Sequence, residues 1–206
     1  MSGSRRGIVL DRDGTLVDVV RDEDTGVITT AFHPSQLRLL PGVAAGLALL
    51  EGAGFSLSIA TNQPGPAKGQ FKRDAVARTN DALVGMLAQH GVTIAKVVVC
   101  MHHPEGGAGG DASLVGPCAC RKPQPGMFIE LIKALDLDPA SSWAIGDTSS
   151  DVDAGRAAGL STALIFDTRR CELCPLRGGP SGAPDLHAAR FDEVAAAIVA
   201  RPIDVR

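Results

Sequence analysis

Acidic, hydroxyl and amide side chains follow several short apolar runs of this 206-residue chain, where the carboxyl ends of strands are expected. They are Asp11 and Asp13, Thr61 and Asn62, and Asp147 and Asp151. A lysine, Lys122, precedes an amphipathic run and can join them. Active sites of parallel α/β sheets form just beyond the carboxyl ends of strands. We therefore expect these side chains to share one edge of a sheet.

Such a set of side chains suits phosphoryl transfer. A carboxylate such as Asp11 can attack phosphorus and form an acyl phosphate, while Asp13 can protonate the leaving alcohol and later activate water. Carboxylates repel a phosphate dianion unless a cation intervenes, and Mg²⁺ accepts such oxygen ligands. Thr61 and Lys122 can stabilise charge on the transferring oxygens. Because an Asp-x-Asp-Gly turn alone is common on protein surfaces, the interpretation depends on all these elements occurring together.

A second constellation consists of metal-ligand side chains. Cys100-Met101-His102 and Cys118-Ala119-Cys120 are separated by fifteen residues. Three thiolates and one imidazole suit tetrahedral Zn²⁺, and a Gly-rich loop without an apolar core gains order from such a staple. His103 is a rival ligand, but its position before Pro104 favours His102. The alternative is that Cys100 is a buried thiol at a strand end and the other residues are unrelated to it.

The elements that must position these residues follow from hydrophobic periodicity. Strands are predicted at 8–10, 55–60, 97–99, 143–145 and 163–165. Helical faces are predicted for Val43, Leu47 and Leu50; for Val76, Leu83, Val84 and Leu87; and for Phe128, Leu131, Ile132 and Leu135. The alternation predicts one α/β domain, residues 1–206, with a doubly wound parallel sheet. Three stretches interrupt this alternation of strands and helices. They are a polar insert at 19–34, a stretch within the proposed zinc loop at 100–120, and a segment at 167–185.

Composition excludes several classes of function. The formal net charge is −3 and the hydrophobic fraction is 45%, which suits a globular protein. No block of Lys and Arg predicts nucleic-acid binding, and no apolar run predicts a signal peptide or membrane span. We expect a cytoplasmic monomer whose partner is a small phosphorylated metabolite. Five cysteines then indicate metal or redox use more than disulfides.

The phosphate-handling residues resemble the four ordered motifs of the haloacid dehalogenase-like phosphohydrolases, across residues 8–159. The matching residues are Asp11-Arg12-Asp13-Gly14-Thr15, Thr61, Lys122, and Gly146-Asp147 with Asp151. The resemblance implies that Asp11 is the nucleophile, that Asp13 is the acid/base and gives its backbone carbonyl to Mg²⁺, and that Lys122 represents the third motif. It also implies Asp147 as a magnesium ligand and Asp151 as a weaker ligand or a group behind the ligands.

The zinc loop is similar to that of two minimal-cap branches, the heptose 1,7-bisphosphate 7-phosphatases and the histidinol-phosphatases. The similarity covers Cys100 to Met127 and the run Thr61-Asn62-Gln63-Pro64-Gly65. It implies that Lys122 binds the scissile phosphate, that Arg121 recognises the rest of the substrate, including a second phosphate, and that Asn62 and Gln63 contact substrate. Lys68 is a further candidate cation, and Arg21 and His33 of the insert are candidate substrate contacts.

The sequence departs from the heptose branch at Thr148, where a lysine is expected. Removal of the 7-phosphate of a heptose 1,7-bisphosphate is the first expectation. Histidinol-phosphate hydrolysis is one alternative, because the acidic side chains of Asp22, Glu23 and Asp24 could bind a cationic amine. A binding scaffold that does not turn over its ligand is the other alternative. Cys171 and Cys174 lie outside the resemblance. We expect these two cysteines to be reduced or to form a locally structural pair. A metal site there would need His187 or an acidic residue as a further ligand.

Overall fold

The computed structural model describes residues 5–21, 24, 26–166 and 182–201. Its strands are β1 (Gly7–Leu10), β2 (Val20–Arg21), β3 (Ile28–Thr29), β4 (Ser56–Asn62), β5 (Ile94–Cys100), β6 (Trp143–Gly146), β7 (Ser161–Ile165) and β8 (Leu186–Ala188). Its helices are α1 (Val43–Gly52), α2 (Arg73–Gln89), α3 (Gly126–Leu135), α4 (Ser149–Ala157) and α5 (Phe191–Val199). Within these residues, no helix combines the length and the apolar character needed to cross a membrane.

Six strands form one parallel sheet in the order β5-β4-β1-β6-β7-β8. The central strand β1 is buried on both faces, as a parallel strand covered by helices must be. Its side chains alternate between two cores. Ile8 and Leu10 pack into the core that contains residues of α1, α2 and α5, whereas Val9 packs with residues of α3 and α4. The predicted doubly wound parallel α/β fold is confirmed.

The predicted strands lie where expected, but two are longer than their apolar runs. β4 continues to Asn62, so Thr61 and Asn62 are its last two residues rather than the loop after it. β5 continues to Cys100, which is fully buried. Both extensions pair with each other, Thr61 with Val99 and Asn62 with Cys100. Backbone pairing between neighbouring strands thus extends both strands beyond the apolar runs from which they were predicted.

Two helices and three short strands were not predicted. In α4 a capping pair, Thr148 and Asp151, begins the helix, and few of its residues are apolar. The insert at 19–34 contains the antiparallel pair β2–β3 and a 3-10 turn at Pro34–Gln36. The Cys171 and Cys174 pair lies outside the described residues, as do Asp22 and Glu23.

Candidate active site

Asp11 lies where β1 ends, and its backbone is fixed to the neighbouring strand. Its N–H donates to the carbonyl of Ile145 at 2.9 Å. Gly14 then turns the chain with a φ of +82°, a left-handed conformation that glycine adopts without strain. A Cβ on Gly14 would lie 2.0 Å from an Asp147 carboxylate oxygen. Glycine is therefore needed here both for the turn and for the close approach of Asp147 to the Asp11 loop.

Lys122 provides the positive charge of the site. Its Nζ lies 2.6 Å from Asp11 Oδ1 and 2.6 Å from Asp151 Oδ1, and it donates to the carbonyl of Ala60 at 2.9 Å. Burial lowers the pKa of Lys122, but the two carboxylates raise it by more, so the net pKa is well above its ordinary value. The ammonium is held charged beside Asp11.

The backbone of Lys122 is held by the side chain of Asn62. The Asn62 amide donates to the Lys122 carbonyl at 3.1 Å and accepts from the Lys122 N–H at 3.1 Å. This two-point contact joins the end of β4 to the loop before α3. Asn62 also lines the cavity beside Asp11. The sequence predicted a substrate contact for Asn62, and the structure adds a role in fixing the lysine.

Three carboxylates converge at the same edge. Oxygens of Asp11, Asp147 and Asp151 lie within 4.8 Å of one another. Burial, partly offset by Lys122, raises the pKa of Asp11 to about 7, and burial together with Asp11 and Asp151 raises the pKa of Asp147 well above its ordinary value. Asp147 Oδ1 is buried without a hydrogen-bond partner. One lysine does not balance this charge, and the unpartnered oxygen is a ligand position that a divalent cation fits.

Asp151 is directed by the helix that it begins. Its Oδ2 accepts from the Thr148 N–H at 3.1 Å and from the Thr148 hydroxyl at 2.6 Å, while its Oδ1 faces Lys122. The capping box leaves one oxygen for the lysine. Because a carboxylate oxygen of Asp151 also lies within 4.8 Å of those of Asp11 and Asp147, both expectations for Asp151, a weaker ligand or a group behind the ligands, stay predictions.

A cavity of about 270 Å³ opens over these carboxylates. Its walls are Asp11, Asp13, Val19, Ile28, Thr29, Thr30, Asn62, Lys122, Asp147, Thr148, Ser150 and Asp151. The insert therefore contributes one wall, as its position after the first strand suggested. Among the lining residues in the described part of the chain, Lys122 is the only cation. Neutral hydroxyl-bearing residues, Thr29, Thr30 and Ser150, also line the cavity.

Several predicted substrate contacts lie outside this cavity. Arg121 and Lys68 are half-buried and do not line it, and Arg121 donates to the carbonyl of His102 at 3.2 Å. Thr61 is 1% exposed and Gln63 has no exposed surface, so a direct substrate contact by Gln63 requires it to move.

The two candidate contacts of the insert have local partners. Arg21 pairs with Asp18 across 3.3 Å, and His33 caps the turn at Pro34–Gln36. Neither side chain lines the cavity. Their predicted substrate contacts stay predictions.

The environment of Asp13 was not predicted from the sequence. Arg12 is fully buried, and its Nε and Nη2 donate to the two Asp13 carboxylate oxygens at 3.1 Å each. Gln63 donates to Asp13 Oδ2 at 2.6 Å. The only signal in the sequence was the arginine between two aspartates, a position that by itself does not distinguish a buried from a solvated charge.

The four predicted zinc ligands form one cluster. Their ligand atoms lie within 4.8 Å of one another. Sγ of Cys100 lies 3.7 Å from Sγ of Cys118 and 3.0 Å from Sγ of Cys120, while Nδ1 of His102 lies 3.4 Å from Sγ of Cys120. A tetrahedron with Zn–S bonds of about 2.3 Å has S–S edges of about 3.8 Å. The cluster therefore has the size and the donor atoms that suit one Zn²⁺.

One detail favours His102 over His103 in this ligand set. Nδ1 of the rival residue, His103, accepts the N–H groups of Glu105 and Gly106 at 3.3 and 3.0 Å, so that nitrogen is occupied within its own turn. Burial, with the neighbouring Cys120, raises the pKa of the Cys100 thiol well above its ordinary value. A buried thiol of this kind becomes a thiolate only when a cation compensates its charge.

Residues 119–169, which include Lys122, Asp147 and Asp151, match the family model described as HAD-hydrolase-like. A D-glycero-beta-D-manno-heptose-1,7-bisphosphate 7-phosphatase of Rhodopseudomonas palustris is 40% identical over 76% of this chain and 81% of its own. The enzyme of the same name from Pasteurella multocida is 33% identical over 80% and 83%. This chain belongs to the haloacid dehalogenase-like (HAD) phosphatases. The predicted family and the predicted class of enzyme, a phosphatase, are confirmed.

Solved structures agree with this assignment. The D,D-heptose 1,7-bisphosphate phosphatase of B. bronchiseptica, complexed with magnesium and phosphate, matches this HAD phosphatase with a TM-score of 0.74 and 29% identity over 94% of this chain and 98% of its own. The enzyme of Burkholderia thailandensis has the same fold, with a TM-score of 0.63 at 21% identity. The fold of this chain is therefore shared with solved phosphatase structures.

Proposed function

We propose that this HAD phosphatase hydrolyses a phosphomonoester through a phosphoaspartate on Asp11. The observation that carries the proposal is the buried cluster of Asp11, Asp147 and Asp151 around Lys122 at the carboxyl ends of β1 and β6. Asp11 and Asp147 would hold Mg²⁺ with their carboxylates, together with the backbone carbonyl of Asp13. When bound, Mg²⁺ neutralises the carboxylates and polarises a phosphate oxygen.

The chain's own residues divide the reaction into two transfers. In the first, a carboxylate oxygen of Asp11 bonds to phosphorus, the bond from phosphorus to the substrate oxygen breaks, and Asp13 gives its proton to that oxygen. In the second, Asp13 takes a proton from water, whose oxygen bonds to phosphorus, and the bond to Asp11 breaks. Lys122 and Thr61 stabilise the transferring oxygens. Phosphate and an alcohol leave, and both aspartates return to their starting states.

The proposed substrate is D-glycero-D-manno-heptose 1,7-bisphosphate, with loss of the 7-phosphate. The names of the relatives support the choice, and the hydroxyl-lined cavity suits a sugar. In this proposal Asn62 acts on the substrate side of the site, whereas Gln63 contacts the substrate only if it moves. Arg121, next to Lys122, meets the distal phosphate as a two-pronged donor, with Lys68 as an additional cation and Thr148 in place of a further lysine.

The cluster of Cys100, His102, Cys118 and Cys120 is proposed as a closed structural zinc site. All four ligands come from the protein, which leaves no open coordination position for catalysis. The cluster ends immediately before Arg121 and Lys122 in the chain. A bound zinc ion would therefore fix the backbone segment that positions these two cationic side chains. We further propose one domain, residues 1–206, acting as a cytoplasmic monomer on a small phosphorylated metabolite.

Phosphate release in the presence of Mg²⁺ tests the proposed substrate. The panel holds both anomers of the heptose 1,7-bisphosphate, fructose 1,6-bisphosphate and histidinol phosphate. We expect one heptose anomer to be preferred and Asp11→Asn to reduce turnover by roughly 10³-fold or more with an unchanged fold by circular dichroism. Preference for histidinol phosphate would move the substrate assignment to that branch. Equal turnover by Asp11→Asn would overturn the phosphoaspartate mechanism.

A further inference from the structure

Arg12 is the largest fully buried side chain of the described residues, although it carries a charge. Its guanidinium is surrounded by acceptors from three separate segments. Nε and Nη2 donate to Asp13, Nη1 donates to Asn80 Oδ1 at 2.7 Å, and Nη2 also donates to the Ala31 carbonyl at 2.7 Å. Burial of an arginine is tolerated only when such partners replace water. The side chain is therefore held from α2, from the insert and from Asp13 at once.

Gln63 supports the same carboxylate from the other side. Its amide nitrogen donates to Asp13 Oδ2 at 2.6 Å and to the Thr61 hydroxyl at 2.8 Å. Its amide oxygen accepts from the Thr30 hydroxyl at 3.0 Å. Thr30 belongs to the insert and also contacts Arg12 Nη2. Every hydrogen-bonding atom of the Gln63 side chain thus has a partner within the network.

These contacts fix the plane of the Asp13 carboxylate. A guanidinium fork holds a carboxylate in one orientation, because two parallel N–H groups must both meet an oxygen. The Asp13 side chain nevertheless remains 16% exposed and lines the cavity. Its orientation is set from behind while one side faces the substrate.

We propose that Arg12, with Gln63, is a positioning residue that aims the Asp13 carboxylate at the leaving oxygen and makes this aim depend on the insert through Thr30 and Ala31. The inference rests on the proposed function, in which Asp13 transfers the proton. The insert lines the cavity with Val19, Ile28 and Thr29 as well. The same segment that lines the cavity therefore also orients the acid.

A purely structural role for Arg12 makes a different prediction. If Arg12 only joins the insert to α2, its replacement lowers the stability or the amount of active protein. The measured activity then falls by the same factor for all substrates. A positioning role instead weakens proton donation, which matters most when the leaving group is a poor one. Phenyl phosphate and p-nitrophenyl phosphate differ in leaving-group acidity, so the change in the ratio of their activities between wild type and a variant reports on this step.

The experiment compares kcat/KM for these two esters, with Mg²⁺, in Arg12→Lys and in Thr30→Val. Arg12→Lys keeps the charge and loses the fork, and Thr30→Val keeps the shape and loses the hydroxyl. We expect both to lose at least about tenfold more activity on phenyl phosphate than on p-nitrophenyl phosphate. Thr30→Ser, which keeps the hydroxyl, should restore the wild-type ratio of the two substrates.

Asp13→Asn separates this inference from the proposed function. If Asp13→Asn loses more activity on phenyl phosphate while Arg12→Lys and Thr30→Val lose equally on both esters, the positioning role is overturned and the acid role of Asp13 stands. If Asp13→Asn itself loses equally on both esters, the acid role fails and the inference fails with it.

Discussion

At Asp11, burial and the neighbouring Lys122 act in opposite directions on one carboxyl group. Burial is the larger influence and raises the pKa of Asp11 from 3.8 to about 7, because a charged carboxylate loses its hydration there. The pKa of Asp147 is raised for the same reason. A divalent cation beside these residues would favour their ionised forms. The proposed magnesium ion would therefore ease the charge balance of the site as well as serve the reaction.

The raised pKa predicts how pH changes the stability of the protein without magnesium. Between pH about 4 and about 7, folded Asp11 retains a proton that the unfolded chain has released. The free energy of unfolding therefore falls as pH rises through this window. Since Mg²⁺ binds the ionised carboxylates, it should raise the melting temperature more at pH 8 than at pH 5.

Thermal unfolding with and without Mg²⁺, in buffers free of chelator so that zinc is retained, measures this difference. Asp11→Asn cannot ionise, and it should show a smaller dependence of the Mg²⁺ effect on pH. Equal stabilisation by Mg²⁺ at both pH values in the wild type would contradict the assigned charge state.

At the scale of elements, the turn after β1 depends on Gly14. Gly14→Ala would strain a backbone with a φ of +82° and place a methyl group 2.0 Å from an Asp147 oxygen. We expect a melting temperature several degrees lower and weaker activation by Mg²⁺, because Asp147 must move away from Asp11. Activity titrated against Mg²⁺ concentration measures the second effect.

Gly85→Ala is the matched control. Gly85 lies in α2 and is exposed, and a methyl group there would have open space around it, with no contact within 4 Å beyond its own helix. The substitution should stabilise the protein by about 0.5–1 kcal/mol without changing the response to Mg²⁺. If Gly14→Ala behaved like Gly85→Ala, the close packing of Asp147 on the Asp11 loop would be wrong.

A separate prediction concerns the loss of one proposed ligand from the zinc loop. Cys118→Ser removes one thiolate, so bound zinc should fall and the melting temperature should drop by about 2–4 °C for each kcal/mol lost. Activity should fall as well, since Arg121 and Lys122 follow the loop directly. Metal analysis of the purified protein gives the zinc content. A variant with a full zinc equivalent would contradict the assigned ligand set.

Across the whole molecule, local patterns predicted the parts of the site that follow strands in the sequence. Asp11, Thr61 and Asp147 lie at carboxyl ends of β1, β4 and β6 because short apolar runs precede them. The parallel topology then brings these ends to one edge. The four zinc ligands were predicted from donor chemistry and spacing in the same way.

The network behind Asp13 could not be predicted in this way. Arg12 meets Asn80 across 68 positions of the chain, and Gln63 meets Asp13 across 50. Such contacts arise when the insert and α2 pack against the sheet. The hydrophobic periodicity of a single segment carries no information about contacts between segments that are distant in the chain. The missed α4 has a similar cause: its capping pair was present in the sequence, but its apolar residues are too few to give a clear pattern.

The most direct test of the account is the detection of the phosphoryl group on Asp11. Asp13→Asn, which cannot activate water, is mixed with p-nitrophenyl phosphate and Mg²⁺, quenched in acid and digested for mass spectrometry. We expect a burst of p-nitrophenol and one added phosphoryl group on the peptide that contains Asp11. A burst with that peptide unmodified, or with the phosphoryl group on another residue, would contradict it.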